Sequence, residues 1–324
     1  MSARPTVVIL CPKEFKFTDN EATVEQPFLR DAADLVTVWL DFNAPIPDAV
    51  LNAHALILWH GPLITAEIIT RMPHCRAIIR NGVGFDTVDI AAAAKAGIPV
   101  CNVPDYGTEE VADHAIALTL ALYRQLFPLD AEAKRLGWKI TVAAKMRRLS
   151  TQTFGIVGLG RIGTATALRA KALGFKVVFH DPYVPSGTHK AVGIERVATL
   201  DELLRRADTV SIHCPLTNET RGMIGAREIA LLKPGSFLVN TARGDIVQKA
   251  PVLAALHRDH LAGAGLDVVE AEPLRTKEEA ATPNLIVTCH AAFCSPEGMV
   301  EMRSTSARIA RAAVLGEPVW NRVN

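Results

Sequence analysis

The chain has 324 residues, 49% apolar and 21% charged, with a formal net charge of +1. That length exceeds what one hydrophobic core usually serves and predicts two domains, while the apolar share is that of a packed globular protein and excludes a disordered one. Near-neutral charge, with no basic block and no arginine–aromatic stretch, argues against nucleic acid as a partner.

The first apolar run, Thr6-Val-Val-Ile-Leu-Cys11, reads as a strand. It is too short for a secretory core and has no small-residue cleavage pattern behind it, so a cytoplasmic location is expected. Further strands are predicted over 56–58, 77–79 and 100–102, with a helix over 89–96 closed by Gly97 and followed by Pro99. Strands alternating with helices predict parallel sheets built from βα units. A long helix is predicted over 108–126, opening on Thr108 before Glu109 and Glu110, since acidic residues suit a helix N-terminus. It is apolar on most faces, so burial is expected. Its most apolar part, 115–123, falls well short of the roughly 20 residues a membrane span needs.

A second alternating block follows the basic connector Lys145-Met-Arg-Arg148. Strands are predicted over 154–157, 176–180, 209–213, 236–240, 263–268 and 285–288, and a helix with a short tail from Glu297. The six cysteines, at 11, 75, 101, 214, 289 and 294, form no Cys-x-x-Cys pair. Structural zinc and a disulfide framework are not expected, and no metal is assigned.

Gly158-Leu-Gly160-Arg-Ile-Gly163 is a Gly-x-Gly-x-x-Gly loop between a predicted strand and a predicted helix over 164–173. Alone the pattern is weak, but this context is the one that binds dinucleotides. Gly158 permits the tight turn, Gly160 lets backbone approach a pyrophosphate, and Gly163 lets helix and strand pack closely. The helix N-terminus offers N–H groups to the phosphates. The next strand ends at Asp181-Pro182, where a carboxylate would bind ribose hydroxyls and repel a 2′-phosphate. Pro182 and Tyr183 supply no offsetting cation, so NAD is expected rather than NADP.

Three polar residues follow later strands: Arg243 in Asn240-Thr-Ala-Arg-Gly244, Glu272 before Pro273, and His290. Each has an ordinary alternative: a solvated arginine, a Glu-Pro turn, a structural histidine. In an open α/β sheet, however, ligands bind beyond the carboxyl ends of the strands, where all three would lie. Hydride transfer at an alcohol carbon requires a group that takes or gives the hydroxyl proton, and histidine suits that task near neutral pH. Glu272 would orient the imidazole and favour its protonated form. Arg243 would clamp a substrate carboxylate through two parallel hydrogen bonds.

With Arg80-Asn-Gly-Val-Gly-Phe-Asp86, His213-Cys-Pro-Leu-Thr217 and Asp267 through Pro273 added, the chain resembles the D-isomer-specific 2-hydroxyacid dehydrogenases almost end to end. The segments 103–113, Leu122-Tyr-Arg124 and 290–297 look most like the branch related to C-terminal-binding proteins. The resemblance implies an α/β protein of two Rossmann-like domains, flavodoxin-like and NAD-binding, with parallel sheets and the active site in the interdomain cleft. The substrate domain would comprise 1–102 plus 291–324 and the cofactor domain 103–290. It further implies a homodimer through the cofactor domain, and Arg243, Glu272 and His290 as the catalytic set. Asn81, Gly82 and Val83 would present backbone N–H groups to the substrate carboxylate, beside Arg243 and His290. The cofactor would meet Thr108, Gly158, Gly160, Arg161, Ile162, Gly163, Asp181, Cys214, Pro215, Thr220, Thr241, Ala242 and Asp267, the last with an equal claim to a structural cap.

Some positions depart from the family pattern: Thr87, Gln248-Lys249, Cys289, Phe293 and Cys294. The expected activity is NAD-dependent hydride transfer between cofactor and a small D-2-hydroxy or 2-keto acid. The alternative is an NAD(H)-responsive dimeric binding protein. Formate or phosphite as hydride donor is a third reading, without the long insertion that formate would call for.

Overall fold

The computed structural model describes residues 4–13, 22–41 and 44–324. The chain divides into two compact units, Met1–Gly107 with Cys294–Asn324, and Thr108–Phe293. The junctions thus fall at 107/108 and 293/294, later than the 102/103 and 290/291 of the sequence reading.

In the first unit, β1 (Thr6–Pro12), β2 (Asp34–Leu40), β3 (Ala55–Leu58), β4 (Ile78–Arg80) and β5 (Val100–Cys101) form one sheet, ordered β2-β1-β3-β4-β5. Every pairing is parallel. Parallel strands are covered on both faces, and β3 is buried at all four positions, as its unbroken Ala-Leu-Ile-Leu run requires. Strand β2 was not predicted. It is the sheet edge, and only Leu40 of its seven residues is buried, so the apolar run that marks the inner strands is missing.

The C-terminal helix Pro296–Leu315 returns to pack on β3 and β4. Ser295 caps it by accepting from the Gly298 N–H at 2.8 Å. Arg303 on this helix donates to both carboxylate oxygens of Glu25, at 2.8 and 2.7 Å, and both residues are buried. Beyond the helix, Asn324 accepts from the Val100 N–H and donates to the Ile98 carbonyl, both at 2.9 Å, so the tail completes the β5 edge.

In the second unit, β6 (Thr153–Val157), β7 (Lys176–His180), β8 (Glu195–Arg196), β9 (Thr209–Ile212), β10 (Ser236–Asn240), β11 (Leu261–Leu266) and β12 (Leu285–Val287) form a seven-stranded sheet. Its order is β12-β11-β10-β9-β6-β7-β8, all parallel. The chain starts at β6, runs outward to β8, then returns to β9 and runs the other way. The order therefore reverses between β6 and β9, where doubly wound sheets bind their ligands. Strand β8 has only two residues, too few to carry a sequence pattern.

The helix Thr108–Tyr123 lies on β10 and β11 and against the helix Arg161–Ala172. Two glycines of β11 make the close approach feasible: a Cβ on Gly263 would lie 2.7 Å from Leu122, and one on Gly265 3.0 Å from Leu118. The predicted helix through 126 is interrupted. Gln125 takes a left-handed φ of 51° and its side chain caps the Leu122 carbonyl at 2.8 Å. A separate helix, Leu126–Lys134, follows with no buried residue. Among the described residues, no helix is long and apolar enough to cross a membrane.

Candidate active site

The glycine loop joins β6 to the helix Arg161–Ala172. Gly158 has φ of 92°, and a Cβ there would lie 2.7 Å from the Cys214 nitrogen beyond β9. A Cβ on Gly163 would lie 2.0 Å from the Gly158 carbonyl oxygen, so only glycine lets the helix start against the strand. Gly160 differs: nothing lies within 4 Å of its Cβ position, and it caps the helix with no side-chain hydrogen bond. The turn at Gly160 therefore leaves room for a ligand at the positive end of the helix.

Asp181 follows β7. Its carboxylate accepts from the Leu159 N–H of the glycine loop and from the Tyr183 N–H, both at 2.8 Å. The sequence reading finds no cation here, yet Arg196 reaches in from β8. Its guanidinium is engaged with backbone, donating to the carbonyls of Asp181 at 2.6 Å and Val184 at 3.3 Å. Across the switch point, the Thr220 hydroxyl donates to the Pro215 carbonyl at 2.6 Å and accepts from the Thr217 N–H at 2.8 Å. Thr220 therefore closes the turn that carries Cys214 and Pro215. Burial pushes the Cys214 thiol up to about 11, so it stays protonated.

Two hydroxyls among the expected cofactor contacts, Thr108 Oγ1 and Thr241 Oγ1, are buried without a hydrogen-bond partner. So is Nδ1 of His213, at the end of β9. Buried polar atoms are normally satisfied. Orphaned atoms beside an open glycine turn fit a polar ligand such as a dinucleotide.

The later strand ends are adjacent and parallel, so β10, β11 and β12 deliver Arg243, Glu272 and His290 to one edge of the sheet. His290 Nδ1 lies 3.1 Å from Glu272 Oε2. Arg243 donates to the Ala242 carbonyl at 2.8 Å, and the Asn240 side chain ties both ends of the Asn240–Arg243 turn. A Cβ on Gly244 would lie 2.0 Å from the Val269 carbonyl oxygen, so the loops after β10 and β11 touch through this glycine. The departures Gln248 and Lys249 have local partners: Gln248 donates to the Gly222 carbonyl at 3.1 Å, and Lys249 pairs with Glu279 at 2.9 Å.

His290 adopts φ of 53°. For a residue with a Cβ this costs about 1–2 kcal/mol. Asp267, 2% exposed, holds the turn. Its carbonyl accepts from the His290 N–H at 2.8 Å, and its carboxylate accepts from the N–H groups of Ala291 and Ala292 at 2.9 and 3.0 Å. The Thr288 hydroxyl adds a third donor at 2.5 Å. A carboxylate offers about four acceptor sites, so this capping leaves limited capacity for the expected nicotinamide contact. Sequence reasoning missed Thr288. Its sequence context carried no signal, because the turn that brings it to Asp267 lies beyond the end of β12.

In the first unit, the Arg80–Val83 turn is held internally. The Asn81 and Gly82 N–H groups, expected to face a substrate carboxylate, donate to the Leu58 and Arg80 carbonyls at 2.8 and 2.9 Å. The Asn81 side chain is buried and bonds Ser306 at 2.7 Å. The Val83 N–H makes no backbone hydrogen bond among the described residues, while its carbonyl accepts from Asn102 at 2.7 Å. Of the three amides, Val83 is the one this turn leaves for a ligand.

A seven-stranded doubly wound sheet, a glycine turn at its switch point and an acid after the next strand define a dinucleotide-binding domain. Residues 116–292 match the profile described as D-isomer specific 2-hydroxyacid dehydrogenase, NAD binding domain. The chain belongs to that family, and its cofactor is NAD. It is 33% identical over 325 residues to C-terminal-binding protein 1 of Caenorhabditis elegans, covering 97% of this chain and 44% of that protein. It is 37% identical over 276 residues to a D-3-phosphoglycerate dehydrogenase of Mycobacterium bovis, covering 85% and 52%. The chain thus spans about half the length of these curated relatives. A D-lactate dehydrogenase from Aquifex aeolicus, solved with NAD and lactic acid, superposes with a TM-score of 0.84 at 29% identity, covering 96% of each chain.

Proposed function

We propose that this protein interconverts a small D-2-hydroxy acid and its 2-keto acid. The observation that carries the reading is the His290–Glu272 pair at 3.1 Å, delivered with Arg243 to one edge of the NAD-binding sheet. Bound NAD supplies or accepts the hydride. His290 gives the proton to the oxygen on C2 in reduction and removes it in oxidation. Glu272 keeps the ring oriented and offsets its positive charge. Arg243 binds the substrate carboxylate and draws electron density from the carbonyl, with the Val83 N–H as a second carboxylate donor. Thr108, Thr241, the Gly158–Gly163 turn and Asp181 hold the cofactor.

The test is a panel of small 2-keto acids mixed with NADH, followed by loss of reduced-cofactor absorbance. Turnover of at least one acid, giving the D-hydroxy product, supports the reading. No reduction across the panel overturns it.

A second reading, an NAD(H)-responsive dimeric binding protein, draws on the C-terminal-binding relative and on one surface. Leu126, Phe127, Leu136, Trp138 and Ile140 expose 53%, 57%, 96%, 93% and 83% of their area within fifteen residues of chain. Exposed apolar side chains gathered in this way mark surfaces that bind protein. We propose that a second copy covers it and forms a homodimer through the cofactor unit. Sedimentation of wild type and Trp138→Glu with Leu136→Glu checks this: a dimer for the first and a monomer for the second. If NADH shifts the oligomeric state while no acid is reduced, the second reading replaces the first.

A further inference from the structure

The turn that carries His290 is supported by a chain of side chains from three elements. Asp267, after β11, accepts the amides of Ala291 and Ala292. Thr288, after β12, donates its only hydroxyl proton to Asp267 at 2.5 Å. That hydroxyl can then only accept from elsewhere. What it meets is His114 Nε2 at 2.9 Å, on the buried helix Thr108–Tyr123. The same nitrogen lies 3.7 Å from Asp267 Oδ1. The donor order fixes the His114 tautomer with its proton on Nε2.

We infer that His114 and Thr288 are positioning residues for His290, acting through the Asp267 carboxylate. Neither residue is in the catalytic or cofactor set above. The inference rests on the dehydrogenase reading only for its consequence in turnover. Without the Thr288 hydroxyl, the buried carboxylate loses a donor and turns to find another. The two amides it holds then loosen, and His290 relaxes from its left-handed conformation away from Glu272. A displacement of about 1 Å at a proton-transfer group is enough to lower turnover strongly. The glycine turn and Arg243 lie on other loops, so most of the loss falls on kcat, with NADH affinity and KM changing little.

The test uses the full chain with Thr288→Val and His114→Leu, against Thr288→Ser and His114→Gln, which keep a donor in reach. Hydrogen–deuterium exchange over 288–293 should quicken about ten-fold in the first two and return toward wild type in the second two, with the melting temperature held within a few degrees. In turnover, kcat should fall about ten-fold with KM and the NADH Kd within about two-fold, and the conservative variants should recover it. Unchanged exchange in Thr288→Val and His114→Leu overturns the inference. So does a loss that falls on KM or NADH binding, or one that Ser and Gln fail to rescue. The exchange measurement needs no substrate. If wild type reduces no keto acid, the dehydrogenase reading falls alone and exchange still decides the positioning role.

Discussion

His290 and Glu272 come from loops after different strands, yet Nδ1 of the one lies 3.1 Å from Oε2 of the other. That hydrogen bond orients the imidazole through Nδ1, and the proposed role gives Nε2 to the substrate. Replacing His290 by alanine should lower kcat by about 10²–10⁴. NADH titration by fluorescence should give an unchanged Kd, since the residues assigned to the dinucleotide are elsewhere. Glu272→Gln should cost less, because the amide still orients the ring while losing the charge. Turnover of His290→Ala within a factor of about two of wild type would remove histidine from the chemistry.

The glycine loop separates fold from binding. Gly160→Ala places its new methyl in open space, whereas Gly163→Ala drives one to 2.0 Å from a carbonyl oxygen. Gly160→Ala should melt like wild type but bind NADH about ten-fold more weakly, near 1.4 kcal/mol. Gly163→Ala should lose about 1–3 kcal/mol of stability as well. Chemical denaturation and cofactor titration on both proteins distinguish the two effects.

In the first unit, Glu25 and Arg303 are buried at 1% and 8% exposure. Glu25→Ala takes both carboxylate oxygens from a buried guanidinium and should destabilise by about 3–5 kcal/mol. The double variant Glu25→Leu, Arg303→Met should recover most of that, because two apolar side chains leave no charge to desolvate. Urea unfolding of the set is the check. Equal losses in the single and double variants would mean the packing, not the charge, is what matters.

His213 predicts an acid limb to stability. Desolvation pulls its imidazole from 6.5 down to about 3, and its Nδ1 is buried without a partner. Below pH 6.5 the unfolded chain binds a proton that the folded chain refuses, so stability falls as pH drops toward 3. The slope from this group is at most about 1.4 kcal/mol per pH unit, and less because part of the residue still meets solvent. His213→Gln should flatten the dependence of unfolding free energy on pH in that window. An identical slope in the variant would assign the acid limb to other groups.

The inner strands were legible because they are short apolar runs bounded by glycine, proline or polar residues. The glycine turn was legible because Gly158 and Gly163 answer local steric demands and Gly160 keeps the turn open. Strand β2 escaped because an edge strand is not obliged to be apolar. The break at Gln125 escaped because nothing in Tyr123-Arg-Gln125 forbids a continuing helix, and the side-chain cap on Leu122 is visible only in three dimensions. Arg196 and the His114–Thr288–Asp267 chain escaped for a related reason. Each joins residues far apart in sequence through a geometry that only the folded sheet creates. The amides of Asn81 and Gly82 show the converse. Their motif was expected to mark a substrate turn, but the turn's own hydrogen bonds take up two of the three donors.

The last element of the first unit is made last. Helix Pro296–Leu315 and the Asn324 side chain complete a sheet whose five strands have all been translated by residue 101. The second unit is complete at residue 293. Domains tend to fold as units during synthesis. Here the N-terminal sheet must wait, with the faces of β3 and β4 uncovered, through the whole translation of the NAD-binding unit. During synthesis the apolar faces of β3 and β4 therefore stay open to chaperones and proteases for longer than any surface of the NAD-binding unit that follows them.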